Sequence, residues 1–270
     1  MPSFVSRRLL SRRELRFATG GALSVAAAGL LGAALWLSPW SPSALDRAAD
    51  LAARGDTDAA IQVYLEVAHG PGFASTCKQA LWQAAWLASV DTDAPQRGVE
   101  LLRDFTARYP ADPLAAQAWD RLGTMYSLYQ GDAVRAAEAW EQAAAVSPAL
   151  PDAGRWLVDA GLAYADAALV ERADRALSTA TAYPDHAVAA HLALGRLHLA
   201  SDPATAYDHY GAALGLARTE EDASLARLGV ASALESLDRV DQALAELEGG
   251  DQDDAALNRR RARLQARERR

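Results

Sequence analysis

Residues 119–148 read WDRLGTMYSLYQGDAVRAAEAWEQAAAVSP. The stretch is rich in alanine, which is the strongest helix former. Gln130, Gly131 and Asp132 indicate a turn between two helical halves, because glycine and aspartate favour turn conformations. Pro148 ends the second half, since proline cannot continue a helix. The stretch therefore predicts two consecutive helices joined by a short turn.

Similar stretches return along the chain at a nearly fixed period. Four glycines lie 38, 34 and 34 residues apart, and leucine precedes three of them: Gly123, Gly161, Gly195 and Gly229. A period near 34 residues is typical of stacked helical hairpins. One hairpin cannot bury its apolar faces alone, so each needs its neighbours.

The best-defined unit resembles a tetratricopeptide repeat. It carries the family pattern W-x2-L-G-x2-Y, then alanine, an aromatic residue, alanine and proline, at Trp119, Leu122, Gly123, Tyr126, Ala136, Trp140, Ala143 and Pro148. The resemblance spans about residues 44–248 and implies an all-α fold, a right-handed α-α superhelix of about six helical hairpins. This unit has one residue more than the consensus, and we expect the extra residue in the turn at 130–132.

The resemblance also implies how the hairpins pack. A small residue at the eighth position lets two helices approach closely, and aromatic side chains fill the space between successive hairpins. The residues expected at packing positions are Trp119, Leu122, Gly123, Tyr126, Ala136, Trp140, Gly161, Tyr164, Gly195, Tyr210 and Gly229.

The amino terminus has the pattern of a membrane-targeting segment. Residues 1–16 carry five arginines and one glutamate, and no charged residue occurs from Phe17 to Leu45. Such a segment is long enough to span a bilayer, and the positive-inside rule keeps the arginines in the cytoplasm. We predict a basic cytoplasmic segment (1–16), a transmembrane signal anchor (17–38), a linker (39–43), a repeat array (44–250) and a C-terminal capping helix or basic tail (251–270).

Two other interpretations of the amino terminus stay open. One is a cleaved secretory signal, although Leu35, Trp36 and Leu37 are not the small residues of a cleavage site. The other is a twin-arginine export signal, because residues 11–16, SRRELR, resemble that motif. A stripe of small residues is also compatible with a homodimer through the transmembrane helix: Gly20, Ser24, Ala28 and Gly32.

The net charge and the lack of catalytic motifs exclude several classes of function. The formal net charge is −8, and residues 17–250 alone carry 30 acidic and 15 basic residues. Because an acidic body repels phosphates, we expect no nucleic-acid partner. No catalytic, phosphate-binding or paired-cysteine motif occurs, so we expect no enzymatic activity and no cofactor. The single cysteine, Cys77, is interpreted as a core residue.

The histidines do not predict a metal site. His191 and His198 lie seven residues apart on one predicted helix, about 10 Å along its axis, which is too far to share one ion. We expect packing roles for both, and we do not expect His186 or His209 to approach them.

The resemblance implies a partner-binding groove on the concave side, lined by first-helix side chains. The candidates are Arg155, Val158, Leu162, Leu192, Arg196, Leu199, Val230 and Leu234. This wall becomes more apolar toward the carboxyl end, which suits an amphipathic helix or a hydrophobic peptide of a partner protein. The lysines and asparagines with which chaperone-type members hold a terminal carboxylate are absent from these positions.

These features predict a bacterial inner-membrane scaffold whose repeats lie in the periplasm. The layout is similar to that of the ancillary subunit of the Sec translocon, and the repeats resemble those of the tetratricopeptide cell-division coordinator. The alternative is a soluble exported accessory subunit that delivers substrate to an enzyme complex.

Overall fold

The computed structural model describes residues 42–90, 94–251 and 254–268. Thirteen α-helices and one short π-helical segment account for the regular structure of these ranges, as the all-α prediction requires. They are α1 Pro42–Arg54, α2 Thr57–His69, α3 Ala74–Val90, α4 Pro95–Arg108, α5 Pro113–Met125, α6 Ala133–Val146, α7 Asp152–Asp166, α8 Val170–Ala180, α9 Ala187–His198, α10 Pro203–Leu216, α11 Glu220–Ser236, α12 Val240–Glu248 and α13 Ala255–Glu268.

The helices pack in chain order. Each helix contacts the one before it and the one after it, so that α1 to α12 form six antiparallel pairs, called here hairpins 1 to 6. Helices two apart also touch at several points, as α7 and α9 do and as α9 and α11 do. The described helices therefore form a linear stack of hairpins, in which each hairpin buries its faces against its neighbours.

The predicted basic segment, the transmembrane anchor and most of the linker lie outside the described residues. The first described helix begins at Pro42, two residues before the predicted start of the repeats. None of the helices in the described ranges combines the length and the apolar character needed to cross a membrane.

Several helices begin at sequence signals that act locally. The carboxylates of Asp112, Asp132 and Asp202 each accept a hydrogen bond from a backbone N–H in the first turn of α5, α6 and α10. These side chains satisfy amide donors that have no partner inside the helix. Proline stands in the first turn of α4, α5 and α10, where its missing N–H costs no helix bond.

The extra residue of hairpin 3 lies in a helix rather than in the turn. Residues Tyr126–Gln130 form a π-helical segment that extends α5. In hairpin 4 the carbonyl of Tyr164 accepts from the N–H of Leu169, five residues on, at 2.9 Å. In hairpin 3 the carbonyl of Tyr126 accepts from Asp132, six residues on, at 3.0 Å. The helix thus absorbs the insertion in one wide turn, and the expectation of a longer loop is corrected.

Glycines set the close approach between helices. A Cβ added at Gly123 would lie 2.6 Å from Nε1 of Trp140, and one at Gly161 would lie 2.4 Å from Cγ of Leu177. The ring of Tyr210 faces two glycines from successive hairpins. A Cβ added at Gly195 would lie 2.7 Å from Cδ1 of this ring, and one added at Gly229 would lie 2.2 Å from the same atom. At each of these positions a side chain of a second helix packs directly against the glycine Cα, so there is no room for a Cβ.

The remaining packing residues are placed as the repeat pattern expects. Leu122, Ala136 and Tyr164 are fully buried, and Tyr126 and Tyr210 nearly so. Trp119 and Trp140 are partly buried and pack against the core between hairpins 3 and 4. Together these side chains hold neighbouring hairpins to each other.

The carboxyl-terminal helix covers the last hairpin. Leu257 and Leu264 of α13 are fully buried in one cluster with Val230 and Leu234 of α11. On the same helix pair, Arg260 and Arg267 bind the carboxylate of Glu235. Because α13 supplies both apolar and ionic contacts to α11, it occupies the place that a seventh hairpin would take in a longer array.

Candidate partner-binding groove

The eight residues expected to line the groove fall into two groups. Val158, Val230 and Leu234 are buried, with 8%, 3% and 3% of their surface exposed. The prediction that they form an exposed wall is wrong, since Val158 belongs to a core cluster of hairpin 4 and the other two belong to the buried cluster that also contains Leu257 and Leu264 of α13. The apolar carboxyl-terminal end of the expected groove is therefore core.

The other five candidates keep some contact with solvent. Leu162, Leu192 and Leu199 are half-buried and pack against neighbouring core clusters, while Arg196 is exposed. Their part in binding a partner stays a prediction. Arg155 is the fifth, and the structure gives it defined partners.

Arg155 joins hairpins 3 and 4 through three carboxylates. Its Nη2 donates to Asp120 of α5 at 2.9 Å, and its Nη1 donates to Asp159, one turn along α7, at 3.1 Å. Its Nε lies 3.8 Å from a carboxylate oxygen of Asp152. One guanidinium thus binds carboxylates on two hairpins, which makes this part of the surface charged and ordered.

The Asp159 carboxyl is unusual in this group. Its burial is the main cause that raises its pKa from 3.8 to about 6, and the neighbouring Asp120 carboxylate adds to the increase. Arg155 acts in the opposite direction by favouring the ionised form. The buried site therefore opposes the ionisation of Asp159 more strongly than one shared arginine favours it.

An exposed apolar surface lies further toward the amino terminus. We call it the aromatic patch and define it by the exposed side chains of Trp86 and Val90 on α3 and of Leu128 and Tyr129 in the π-helical segment after α5, together with the partly buried Trp82. The rings of Trp82 and Trp86 lie 5.9 Å apart. Trp86 is 39% exposed and Leu128 is 62% exposed, values that are high for large apolar side chains.

Arg121 connects the two helices that carry this patch. Its guanidinium lies over the Trp86 ring at 5.5 Å. Its Nη2 donates to the backbone carbonyl of Ser89 at 2.7 Å, and its Nε donates to the Ser89 hydroxyl at 3.0 Å. Burial lowers the pKa of Arg121, while Tyr129 acts on it in the opposite direction. The arginine thus fixes Trp86 and stands near Tyr129, so the patch spans hairpins 2 and 3.

The aromatic patch is not evident from the sequence because hairpin 2 lacks the usual glycine and has Ala85 at that position. The buried residues of α3 include Leu81, Ala84, Ala85 and Ala88, and in the repeat pattern these match Trp119, Leu122, Gly123 and Tyr126 of α5. In that register Trp82 and Trp86 fall on the fifth and ninth positions, which the resemblance assigns to the concave wall. The close approach has moved to α4, where a Cβ on Gly98 would lie 2.7 Å from the Ser89 Cα. The pair of tryptophans four residues apart was the available signal.

The structure brings together three histidines that sequence analysis kept apart. His191 and His198 lie on α9, and His209 of α10 contacts both. The Nδ1 atoms of His191 and His209 are 3.2 Å apart, and His198 pairs through Nε2 with Asp174 of α8 at 2.8 Å. The expectation that His209 would not approach the other two is wrong, because α10 folds back along α9 and presents His209 to that helix.

Other candidate sites are not found in the described part of the chain. No group of three or more His, Cys, Asp or Glu side chains there is arranged to hold a metal ion. Cys77 is buried, and its thiol donates to the carbonyl of Gly70 at 3.7 Å. Its environment is that of a small core residue.

Comparison with known proteins identifies the fold. No family model matches the chain, and no curated protein matches its sequence. A crystal structure of the C-terminal part of a TPR repeat-containing protein from Cytophaga hutchinsonii matches at 16% identity with a TM-score of 0.59, over 84% of this chain and 89% of that one. BtubC (BKLC) from P. vanneervenii matches at 16% identity with a TM-score of 0.50, also over 84% of this chain and 89% of that one.

Structural similarity at this level of sequence identity supports a conclusion about the fold only. The matched TPR structure covers most of both chains, and the described helices pair into six consecutive hairpins. The repeat pattern around Trp119 and the glycines that admit second-helix side chains agree with that architecture. The chain therefore has the tetratricopeptide-type fold, a stack of helical hairpins closed by a C-terminal helix.

Proposed function

We propose that this chain is a protein-binding scaffold without enzymatic activity of its own, and that its partner binds across hairpins 2 and 3. The observation that carries the proposal is the aromatic patch, where Trp86, Leu128 and Tyr129 keep large apolar surfaces in water. Exposed tryptophan and tyrosine beside an ordered arginine is a composition enriched in the energetic centres of protein interfaces. Contiguous exposed apolar surface is typical of interaction sites.

The surroundings of the patch define the chemistry of the partner. Arg155, Asp120 and Asp159 lie on the neighbouring hairpins 3 and 4 and already satisfy one another. These paired side chains give the docking surface a polar edge, and they do not present an unpaired charge to the partner. A partner segment with leucine or aromatic side chains for the patch, and with polar groups beyond them, matches this surface. We propose an amphipathic helix or an extended hydrophobic peptide.

The cellular setting is part of the proposal. Five arginines precede a long uncharged segment, 17–38, and this order favours a single-pass anchor in a bacterial inner membrane with the hairpins on the periplasmic side. The alternative, a soluble exported accessory subunit, keeps the same docking surface and differs only in the fate of the amino terminus.

Site-specific photo-crosslinking in cells tests the docking surface. A photoreactive amino acid at Trp86 or Tyr129 should produce the same crosslinked partner protein. The matched control carries the photoreactive group at Leu216, which is as exposed as Val90 but lies on hairpin 5. The purified partner should then bind the wild-type chain more tightly than it binds Trp86→Ala.

Two results would contradict the docking proposal. One is a set of crosslinks from position 216 identical to that from positions 86 and 129. The other is a purified partner that binds Trp86→Ala as tightly as the wild-type chain.

Fractionation and amino-terminal sequencing test the setting separately. Retention in the membrane after carbonate extraction, with an intact amino terminus, supports the anchor. Recovery in the soluble periplasm with a mature start near Ala44 would replace the anchor by the exported form, and it would leave the docking surface untouched.

A further inference from the structure

The Nδ1 atoms of His191 and His209 lie about as far apart as two nitrogen ligands of one metal ion. Zinc binds imidazole nitrogens at about 2.0–2.1 Å in tetrahedral geometry, which places two ligand nitrogens about 3.3 Å apart. The Nδ1 atoms of the two rings are separated by 3.2 Å. The ring centroids are 5.4 Å apart and the planes are inclined by 36°, so the rings meet edge to edge rather than face to face.

We propose that His191 and His209 bind a divalent transition-metal cation, with Zn²⁺ as the representative ion, through their Nδ1 atoms. The two side chains come from α9 and α10, so the ion would link both helices of hairpin 5. Water completes the coordination, because both histidines are only half-buried and no third protein ligand is required. Imidazole is a preferred ligand for zinc, copper and nickel.

The surroundings support a cation at this place. The carboxylates of Asp174 and Asp208 lie close enough to His209 to act on it electrostatically, and they supply negative charge beside the site. His198 stacks on the ring of His209 at 5.9 Å, and its own Nε2 is held by Asp174. His209 therefore packs between two histidines of α9, and one of them is held by a carboxylate of α8.

Metal binding also requires a change of tautomer. Neutral imidazole is the form that coordinates metals. Without a metal, one Nδ1–H donates to the other Nδ1. Binding requires that ring to move its proton to Nε2, and no proton is released.

Zinc titration of the full chain in detergent tests the proposal. Isothermal calorimetry at neutral pH should show saturable binding of one Zn²⁺ per chain, and binding should weaken as the pH falls and the imidazoles protonate. His191→Ala and His209→Ala should each lose this binding. The control His69→Ala, an exposed histidine on α2, should retain it.

A second measurement does not depend on the folding of the variants. In the wild-type chain, zinc should protect His191 and His209 from diethylpyrocarbonate and leave His69 reactive. The proposal is overturned if the wild-type chain binds no zinc in saturable fashion. It is equally overturned if zinc protects neither residue, or if folded His191→Ala and His209→Ala bind zinc as the wild type does.

Discussion

At the scale of single residues, the fold depends on a few positions where a hydrogen stands in place of a side chain. Tyr210 shows this most clearly, because its buried ring contacts Gly195 of its own hairpin and Gly229 of the next. The ring therefore ties hairpin 5 internally and also ties it to hairpin 6. A methyl group on either glycine would compete with the ring for the same space.

Gly229→Ala should destabilise the protein by about 1–3 kcal/mol, the usual cost of overpacking a core. The added Cβ would lie 2.2 Å from Cδ1 of Tyr210. The control is Gly211→Ala on α10, where no described atom lies within 4 Å of the added Cβ. That change should be neutral or stabilise the helix by up to about 1 kcal/mol. Urea denaturation of both variants measures the difference, and equal effects would contradict the packing assignment.

Asp159 gives a pH-dependent prediction. Its carboxyl has a pKa of about 6 in the folded protein against 3.8 ordinarily, so the folded state binds more protons between these values. The contribution of Asp159 to stability is therefore present at low pH and is lost as pH rises through about 6. Asp159→Asn should be more favourable at pH 7.5 than at pH 4.5, by about 1 kcal/mol after allowance for solvent at a side chain that is 34% exposed.

Urea denaturation of the wild type and Asp159→Asn at both pH values tests this prediction. Comparison with the wild type at the same pH cancels the other titrating groups, and the difference between the two pH values removes the part of the substitution's effect that does not depend on pH. An effect of Asp159→Asn that does not change with pH would show that burial does not oppose the ionisation of Asp159.

At the scale of helices, the repeat period predicted the hairpins but not their exceptions. The glycines at 123, 161, 195 and 229 each lie at a close contact between helices. Their spacing along the sequence therefore equals the length of one hairpin. The π-helical turn after Met125 adds one residue to the hairpin, but its amino-acid composition is that of an ordinary helix. Gly131 and Asp132 predict a turn whether or not the helix before them contains an extra residue. In hairpin 2 the glycine stands in the second helix, at Gly98, which hid the register that exposes Trp82 and Trp86.

The error at the carboxyl-terminal groove has a related cause. Val230 and Leu234 occupy positions of α11 that the repeat pattern assigns to the concave side. Such positions are exposed to solvent only if no other helix packs against them. Whether α13 covers that surface depends on long-range packing of Leu257 and Leu264, which local sequence patterns do not specify.

The contribution of α13 can be measured directly. Leu264→Ala should destabilise the protein by about 3 kcal/mol, because it removes a fully buried side chain and leaves a cavity above α11. Arg263→Ala, exposed on the same helix, should change stability by no more than about 0.5 kcal/mol. Thermal and urea unfolding followed by circular dichroism would compare them. A similar small effect of both changes would show that α13 does not pack as described.

At the scale of the whole molecule, the surface divides along the stack. Hairpins 2 and 3 carry the aromatic patch, hairpins 3 and 4 share the Arg155 carboxylate network, and hairpin 6 is covered by α13. Because the main contacts join helices that are one or two places apart in the chain, stability is approximately a sum of local terms. A substitution that destabilises one end of the stack should therefore have little effect on the stability of the hairpins at the other end.

Two glycine substitutions at opposite ends test this locality. Gly98→Ala places a Cβ 2.7 Å from the backbone of Ser89 and disturbs hairpin 2, whereas Gly229→Ala disturbs hairpins 5 and 6 through Tyr210. Hydrogen exchange should show faster opening of α3 and α4 in Gly98→Ala, with α11 to α13 unchanged. Gly229→Ala should show the reverse. Faster exchange throughout the chain in both variants would mean that the array unfolds as one cooperative unit, because local openings expose only nearby amides.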